Sequence, residues 1–286
     1  MATIALFRLL SNSLLKENRY KYYNFLLIFS YYLLVIIMGQ IGMGFLLSTM
    51  AGFSTMIGML PILFKFKNEK KIIAGSLAFA AGVMLCVSIT DLIPEAFMML
   101  RSYYSGIYLS FLIFLFLMIG IILTFFVEKG IRLEKQKSSL YQVGIISMLA
   151  IILHNIPEGI ATFISTTKST TLGLSLAIAI ALHNIPEGIS ISIPIYYSTK
   201  KKTKAFFYTF VSALSEPLGA ILTYFFFISF VNPMILGFLF AFIAGVMIFI
   251  SFSELIPTSR EYAYCWLSRV WFIIGILFML IKFFLF

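Results

Sequence analysis

The chain is poor in charged residues: Asp, Glu, Lys and Arg make up 11% of its 286 positions, while hydrophobic residues make up 61%. Soluble domains carry about 25% charged residues, so this balance excludes a soluble globular protein. Cysteine is equally scarce. Cys86 and Cys265 stand alone without CxxC spacing, which argues against a disulfide framework or a thiolate zinc site. The composition predicts a multi-pass integral protein of the cell membrane.

The sequence contains several long apolar runs. Runs of about 20 apolar residues predict transmembrane helices. They are continuous and do not alternate with period two, which favours an all-α membrane protein over a barrel. Eight helices are predicted, near residues 43–64, 71–100, 106–127, 140–163, 171–197, 204–229, 233–259 and 266–286.

The net charge of +10 reflects membrane topology and does not indicate a nucleic-acid partner. Basic residues concentrate in three short loops, 65–71, 128–139 and 198–204, whereas the connections between these loops carry little charge. Basic loops on alternate turns follow the positive-inside rule. We therefore expect these three loops and the 260–265 turn to face the cytoplasm, with the C-terminus outside.

The N-terminal segment, 1–42, is separate from the rest in the predicted organisation. Residues 23–64 are mostly apolar and are long enough for about two membrane crossings. One interpretation is an additional transmembrane helix near 23–40. The other is an N-terminal extension, such as a helix on the lipid surface or an over-long start. We predict a division into 1–42, the extension, and 43–286, an eight-helix domain.

One eight-residue string, Leu-His-Asn-Ile-Pro-Glu-Gly-Ile, occurs twice, at 153–160 and at 182–189. The two copies contain the only two histidines of the chain, and each lies in a predicted transmembrane helix. No Lys or Arg lies within nine residues of Glu158 or Glu187. A carboxylate at membrane depth is costly without a cationic partner and indicates a functional site. The missing partner is best explained as a metal cation.

Helical spacing places the polar residues of each copy together. His154 and Glu158 are four positions apart and Asn155 and Glu158 are three apart, so all three share a helix face. Helix 5 repeats this with His183, Asn184 and Glu187. Two antiparallel copies would form two adjacent pockets that share the glutamates. One pocket holds imidazoles and carboxylates, a set suited to Zn²⁺ or Fe²⁺, and the other holds amides and carboxylates.

Prolines and further acidic residues extend this pattern. Pro157 and Pro186 each remove a backbone hydrogen bond in mid-helix, so we expect a kinked, partly opened helix at both. Glu216 precedes a proline in helix 6 and is a candidate for completing the oxygen-rich pocket. Asp91 and Glu254, near helix ends, are interpreted either as way-stations for the ion or as interfacial carboxylates reaching water.

A second repeat relates helix 2 to helix 7. Ala81-Gly82-Val83-Met84, Ser88 and Asp91-Leu92-Ile93-Pro94 recur at a constant offset of 163, with Glu254 in place of Asp91. The octapeptide likewise pairs helix 4 with helix 5, and in each pair the two helix numbers add up to nine. This predicts a helix order that reverses about the middle of the chain. The paired helices run in opposite directions, the sequence pattern of an inverted repeat. Such repeats are typical of transporters with a site at the repeat interface.

The two HNIPEG motifs, together with SALSEPLGA in helix 6, resemble the ZIP (Zrt/Irt-like) divalent-metal transporters, most closely the bacterial ZupT-type branch. The resemblance covers about residues 43–286. It implies an eight-helix ZIP-type bundle with a 3+2+3 inverted repeat that moves Zn²⁺, and often Fe²⁺, Mn²⁺ or Co²⁺, into the cytoplasm. Two departures are a short loop between helices 3 and 4 without a histidine tract, and the N-terminal extension.

The resemblance also implies two metal positions. The first falls on His154, Glu158, His183 and Glu187, and the second on Asn155, Glu158, Asn184, Glu187 and Glu216. No other cofactor is implied, because the bound ions are the transported substrate. The expected partners are divalent metal ions and the lipid bilayer; a homodimer, the physiological metal and proton coupling are left open.

Three classes of function are compatible with a metal site at membrane depth. A metal-uptake transporter is favoured. A membrane-embedded di-metal oxidase or protease is disfavoured, because such oxidases need more than two histidines and no His-Glu-x-x-His motif occurs. A metal receptor that does not transport would be expected to carry a sizeable soluble domain, yet no predicted loop exceeds about a dozen residues. We therefore predict a transporter and no enzymatic activity.

Overall fold

The computed structural model describes residues 39–132, 139–227, 232–262 and 265–285. Within these residues the regular structure is helical throughout, which confirms the all-α prediction. All eight predicted helices are present close to their predicted bounds. They are α1 Gln40–Leu63, α2 Glu69–Leu100, α3 Gly106–Arg132, α4 Ser139–Lys168, α5 Thr170–Thr199, α6 Lys202–Phe226, α7 Pro233–Tyr262 and α8 Cys265–Leu285.

Helix length and burial place α4 and α5 inside the bundle and α3 at its periphery. The first seven helices have 24–32 residues and are therefore about 36–48 Å long, enough to cross a hydrocarbon core of about 30 Å with some tilt. In α3 only 22% of the apolar window is buried, against 67% in α5. The exposed apolar side chains of α3 suit contact with lipid, and the octapeptide helices are shielded from it.

The predicted helix near 23–40 lies outside the described residues, apart from its last two positions. The described residues begin with Gly39, which is the N-cap of α1 and has an extended backbone conformation. The division of the chain at residue 42 thus stays a prediction. The core domain from α1 onward accounts for every contact discussed below.

Proline does not interrupt α4 or α5. Helix continues without a break through Pro157 and Pro186, so neither helix is unwound there, and the expected kink stays a prediction. The interruption occurs in α6 instead, where Lys202–Ala213 ends at Leu214 and a second helix starts at Ser215. Pro217 lacks the N–H that would bond to the Ala213 carbonyl, which accounts for a break at this point.

Both α2 and α7 contain one π-helical turn, Ser88–Leu92 and Ser251–Leu255. Each turn immediately precedes an Ile-Pro pair, and the proline crowds the carbonyl four residues earlier, so the wider hydrogen-bonding pattern relieves that conflict. The two turns are related by the same offset, 163, as the sequence repeat. Asp91 and Glu254 therefore occupy equivalent places in the two halves.

Glycines bring α2 against α8 and α3 against α7 at backbone distance. In each of these pairs, a Cβ added to the glycine of either helix would fall 2.0–2.2 Å from a main-chain oxygen of the other. Such small-residue contacts are how membrane helices approach closely without a hydrophobic driving force between them. The four contacts are Gly82 with Phe272, Gly275 with Phe79, Gly120 with Phe242, and Gly245 with Leu117.

These contacts define the repeat and correct one expectation. Gly82 and Gly245 are related by the offset of 163, whereas Gly120 and Gly275 are related by an offset of 155, so α2 corresponds to α7 and α3 corresponds to α8. The glycine contacts of α4 and α5 likewise relate α1 to α6, as described below. Each outer triplet keeps its chain order, so the predicted reversal of helix order is wrong beyond the pairs α2/α7 and α4/α5. Sequence motifs marked only those two pairs.

An ion-pair cluster joins α3 to α7 at the end that the loop charges assign to the cytoplasm. Arg132 Nη2 lies 2.8 and 2.9 Å from the two carboxylate oxygens of Glu254, and Arg132 Nε lies 2.6 Å from Glu128 Oε1. The Glu254 side chain is fully buried, while that of Arg132 is 36% exposed. Glu254 is thus compensated by a two-pronged arginine contact and does not reach out to water.

This difference in burial predicts unequal effects for the two partners. Arg132→Gln leaves the buried carboxylate of Glu254 without its guanidinium and should lower the free energy of unfolding by about 2 kcal/mol. Glu254→Gln removes the buried charge itself and should cost less. Thermal unfolding of both purified variants in detergent measures the difference. Equal losses, or a larger loss for Glu254→Gln, would contradict this account.

Candidate metal centre

Two glycines set the positions of α1 and α6 around the octapeptides. A Cβ added to Gly159 in α4 would lie 1.9 Å from the main-chain oxygen of Glu216, and one added to Gly188 in α5 would lie 1.9 Å from that of Thr55. The backbones therefore touch directly at both places. As a result, each octapeptide glutamate is followed by a residue in contact with a neighbouring helix, α6 or α1.

The first group of polar atoms contains both histidines and both glutamates. His183 Nε2 lies 2.9 Å from Glu158 Oε1, while His154 Nε2 lies 3.2 Å from that same oxygen and 3.4 Å from Glu187 Oε1. All four side chains are buried. Two ligands bound tetrahedrally at about 2.0–2.1 Å would be about 3.3 Å apart. The ligand atoms of His154, Glu158 and His183 all lie within 4.8 Å of one another, a spacing that could hold one metal ion, and Glu187 adjoins this group through His154.

The second group contains the two asparagines and Glu216. Asn184 donates from Nδ2 to the Ala51 carbonyl at 3.0 Å and to Glu216 Oε2 at 2.9 Å, and Asn155 donates from Nδ2 to the Ser212 carbonyl at 3.4 Å. All three side chains are fully buried. Because each amide nitrogen is used, each amide oxygen is left as an acceptor.

Several buried oxygens at this place lack a hydrogen-bond donor among the described residues. Buried acceptors are nearly always satisfied in folded proteins, since leaving one unpaired costs about 1–3 kcal/mol. A cluster of them indicates a ligand that supplies positive charge, and carboxylate and amide oxygens suit a divalent cation. The atoms are Asn155 Oδ1, Asn184 Oδ1, Glu158 Oε2, Glu187 Oε2 and Glu216 Oε1.

Serines on α1 and α6 donate to the same carbonyls as the asparagines, and sequence reasoning missed them. Ser54 Oγ donates to the Ala51 carbonyl at 2.6 Å, and Ser215 Oγ donates to the Ser212 carbonyl at 2.5 Å. These are the two carbonyls that accept from Asn184 and Asn155. Ser54 and Ser215 are themselves related by an offset of 161. The signal in the sequence was a Ser followed four positions later by Gly, too short to detect without the fold.

A cavity of about 430 Å³ connects this centre to one end of the bundle. Its wall includes Glu158 and His183 at the centre and Asp91, Glu95 and Met98 toward the α2–α3 connection. The loop charges place that connection on the outer side. Asp91 thus lines the same cavity as the centre, whereas its counterpart Glu254 is held by Arg132. Met84 and Met247 are fully buried core residues.

Comparison with known proteins places this geometry in context. The family described as ZIP Zinc transporter matches residues 132–282. The chain is similar to the zinc transporter ZupT of Streptococcus mutans, with 40% identity over 258 residues, which covers 85% of this chain and 97% of the relative. It is also similar to the zinc transporters ZupT of Clostridium perfringens, 36% identical with 87% and 98% covered, and of Akkermansia muciniphila, 37% identical with 83% and 95% covered.

Proposed function

Because the chain belongs to the ZIP zinc transporter family, we propose that it moves Zn²⁺ and related divalent cations into the cytoplasm through two metal positions between α4, α5 and α6. Members of this family are integral membrane transporters and not enzymes, so the di-metal enzyme considered above is set aside. The first position consists of His154, Glu158, His183 and Glu187. The second consists of Asn155, Glu158, Asn184, Glu187 and Glu216.

The observation that carries the proposal is the cluster of buried acceptors without donors among the described residues. Five such oxygens belong to five of the seven proposed ligands, and they are shielded from lipid by the surrounding helices. The two carboxylates of the first position balance the charge of one divalent cation, and together with Glu216 they offset three of the four charges that two ions bring. This balance supports binding at membrane depth, where an uncompensated charge is costly.

The route supports inward transport. The outer cavity leads from Asp91 and Glu95 to Glu158 and His183, so an ion from outside meets acidic side chains before it meets the centre. On the opposite side, Arg132 lies against Glu254. Basic loops on that side are consistent with the cytoplasm.

The donor atoms support a selectivity that extends beyond zinc. Imidazole nitrogen with carboxylate oxygen accommodates Zn²⁺, Fe²⁺ and Co²⁺, and amide with carboxylate oxygen also suits Mn²⁺. We therefore include iron, manganese and cobalt among the proposed substrates. Residues 43–286 form the proposed transport unit, with 1–42 as an extension of it.

The test of this function is metal uptake into proteoliposomes. Purified protein is reconstituted with a metal-sensitive dye inside, and Zn²⁺, Fe²⁺, Mn²⁺ and Co²⁺ are added outside, with Mg²⁺ as a hard-cation control. We expect protein-dependent signals for Zn²⁺ and at least one other transition metal, and none for Mg²⁺. Absence of any transition-metal flux from folded, reconstituted protein would reject the proposal.

Substitution of Asn184 should separate the two positions. Asn184→Ala removes a ligand of the second position only and also loses the bonds to Ala51 and Glu216, so the protein should retain one of two ions. Metal content of the purified variant, measured by mass spectrometry after equilibration with Zn²⁺, tests this. Asn68→Ala is the matched control, because Asn68 only caps the start of α2. Loss of both ions, or of neither, would contradict separable positions.

A further inference from the structure

The repeat that relates α1 to α6 has one unequal pair. Ala51, Ser54 and Gly58 in α1 correspond at an offset of 161 to Ser212, Ser215 and Gly219 in α6, and their contacts correspond as well. A Cβ on Gly58 would meet the carbonyl of Ile185, and one on Gly219 would meet that of Ile156, which are the same position of the two octapeptides. At this offset the residue that corresponds to Glu216 is Thr55.

Thr55 occupies the place on α1 that Glu216 occupies on α6. Its main-chain oxygen abuts Gly188, the residue after Glu187, as that of Glu216 abuts Gly159, the residue after Glu158. Glu216 reaches across to Asn184 on α5. The repeat relation therefore assigns Thr55 to the side of the centre that belongs to Asn155. Thr55 is fully buried.

The hydroxyl of Thr55 has no hydrogen-bond partner among the described residues, and the structure gives the reason. Thr49, Thr124 and Thr209 each donate to the carbonyl four residues earlier. Thr55 follows the α-helical part of α1, Gln40–Ser54, and begins the 3₁₀ segment Thr55–Leu63. The carbonyl four residues before Thr55 belongs to Ala51.

The Ala51 carbonyl already accepts from Ser54 Oγ and from Asn184 Nδ2. A carbonyl oxygen has two lone pairs, so both are occupied. The same contacts that fix the metal-site asparagine therefore leave the threonine hydroxyl available. The hydroxyls of Ser147, Thr162 and Ser212 are also buried without a partner among the described residues. Of these four hydroxyls, that of Thr55 is the one at the repeat position equivalent to Glu216, and a buried unpaired hydroxyl there indicates a ligand.

We propose that Thr55 is a further residue of the second metal position, where its hydroxyl faces the bound divalent cation from the side opposite Glu216. Its oxygen is attached at Cβ, two carbons nearer the backbone than a glutamate oxygen, so it contacts a water molecule that the cation retains. This inference rests on the proposed function, because it deepens the second position. The second position would then be asymmetric in charge, with a carboxylate from α6 on one side and a neutral hydroxyl from α1 on the other.

The first experiment examines Thr55 alone. Thr55→Val keeps the shape and removes the hydroxyl, and Thr55→Ser keeps the hydroxyl. Zn²⁺ titration of purified protein should show the second ion bound about five-fold more weakly by Thr55→Val, the effect of one net hydrogen bond, and nearly unchanged by Thr55→Ser. The first ion should bind both variants as it binds the unmodified protein, which also shows that they are folded. Unchanged binding of the second ion by Thr55→Val would overturn the proposal.

The second experiment moves the carboxylate across the repeat. Glu216→Thr should lose the second ion, and the double substitution Thr55→Glu with Glu216→Thr should regain it, because the two places are equivalent. A double variant that holds the first ion and does not regain the second would overturn the assignment of Thr55. Failure of the proposed function is distinguished by uptake: absence of transport with both ions bound rejects the transporter and leaves the binding result standing.

Discussion

Replacing Glu158 with glutamine is expected to reduce metal uptake to background. Oε1 of Glu158 lies within 3.2 Å of both histidine Nε2 atoms, and Glu158 belongs to both proposed positions. The substitution keeps the size of the side chain but removes one of the three carboxylates that offset the charge of the bound ions at membrane depth. One uncompensated charge there costs about 2.5–3.5 kcal/mol, equivalent to a loss of about 70- to 400-fold in affinity.

The measurement is initial uptake of Zn²⁺ by proteoliposomes with matched protein content. Glu69→Gln is the control, because Glu69 is an exposed carboxylate whose partner is Lys200 and its loss should have little effect. Glu187→Gln should behave as Glu158→Gln does. Uptake by Glu158→Gln above a tenth of the unmodified rate would refute the shared-carboxylate arrangement.

Adding a single methyl group at Gly188 is expected to disrupt the centre without altering any ligand. The new Cβ would lie 1.9 Å from the oxygen and 2.9 Å from the carbon of the Thr55 carbonyl. These are backbone atoms, so α1 must move away from α5. The Asn184–Ala51 hydrogen bond spans this interface and would be lost with the displacement. We expect Gly188→Ala to lower stability by about 1–3 kcal/mol and to remove the second ion.

Alanine prefers a helix to a greater extent than glycine does, which by itself would raise stability by about 1 kcal/mol. A fall in stability would therefore indicate the steric clash, and a rise would indicate its absence. Gly130→Ala in α3 is the control, because nothing lies within 4 Å of an added Cβ there, and it should leave stability unchanged or raise it. Thermal unfolding and Zn²⁺ content are measured for both, and Gly159→Ala should resemble Gly188→Ala. A Gly188→Ala protein with unaltered melting temperature and two ions would contradict this account.

The sequence was sufficient to predict the membrane class, the eight helices and the seven candidate ligands. Apolar run length determines a transmembrane helix almost alone, and HNIPEG is long and distinctive enough to be seen twice. The structure brings the histidines and glutamates of α4 and α5 to hydrogen-bond distance and joins Glu216 to Asn184. Their role as ligands stays a prediction until the variants are measured.

The order of the outer helices could not be predicted, for a physical reason. The correspondence of α1 with α6, and of α3 with α8, depends on single glycines and a serine that meet main-chain atoms of a distant helix. Such contacts constrain one small residue per turn and leave the rest of the helix free to vary. Ser54 and Thr55 were missed for the same reason. Their importance follows from which carbonyl is already occupied, and that requires coordinates.

In an inverted repeat the two halves of the backbone have opposite orientations in the membrane. The backbone alone would therefore present the same path to both membrane faces. The two faces can then differ only where paired positions carry different side chains. Several pairs are unmatched: α6 supplies Glu216 where α1 supplies the neutral Thr55, and α2 supplies Glu95 on the cavity wall where α7 supplies Thr258. Asp91 and Glu254 carry the same charge but differ in surroundings, because Glu254 is bound by Arg132 and Asp91 lines the cavity. The difference between the two faces therefore rests on a few unmatched side chains, and exchanging those side chains is the direct way to alter it.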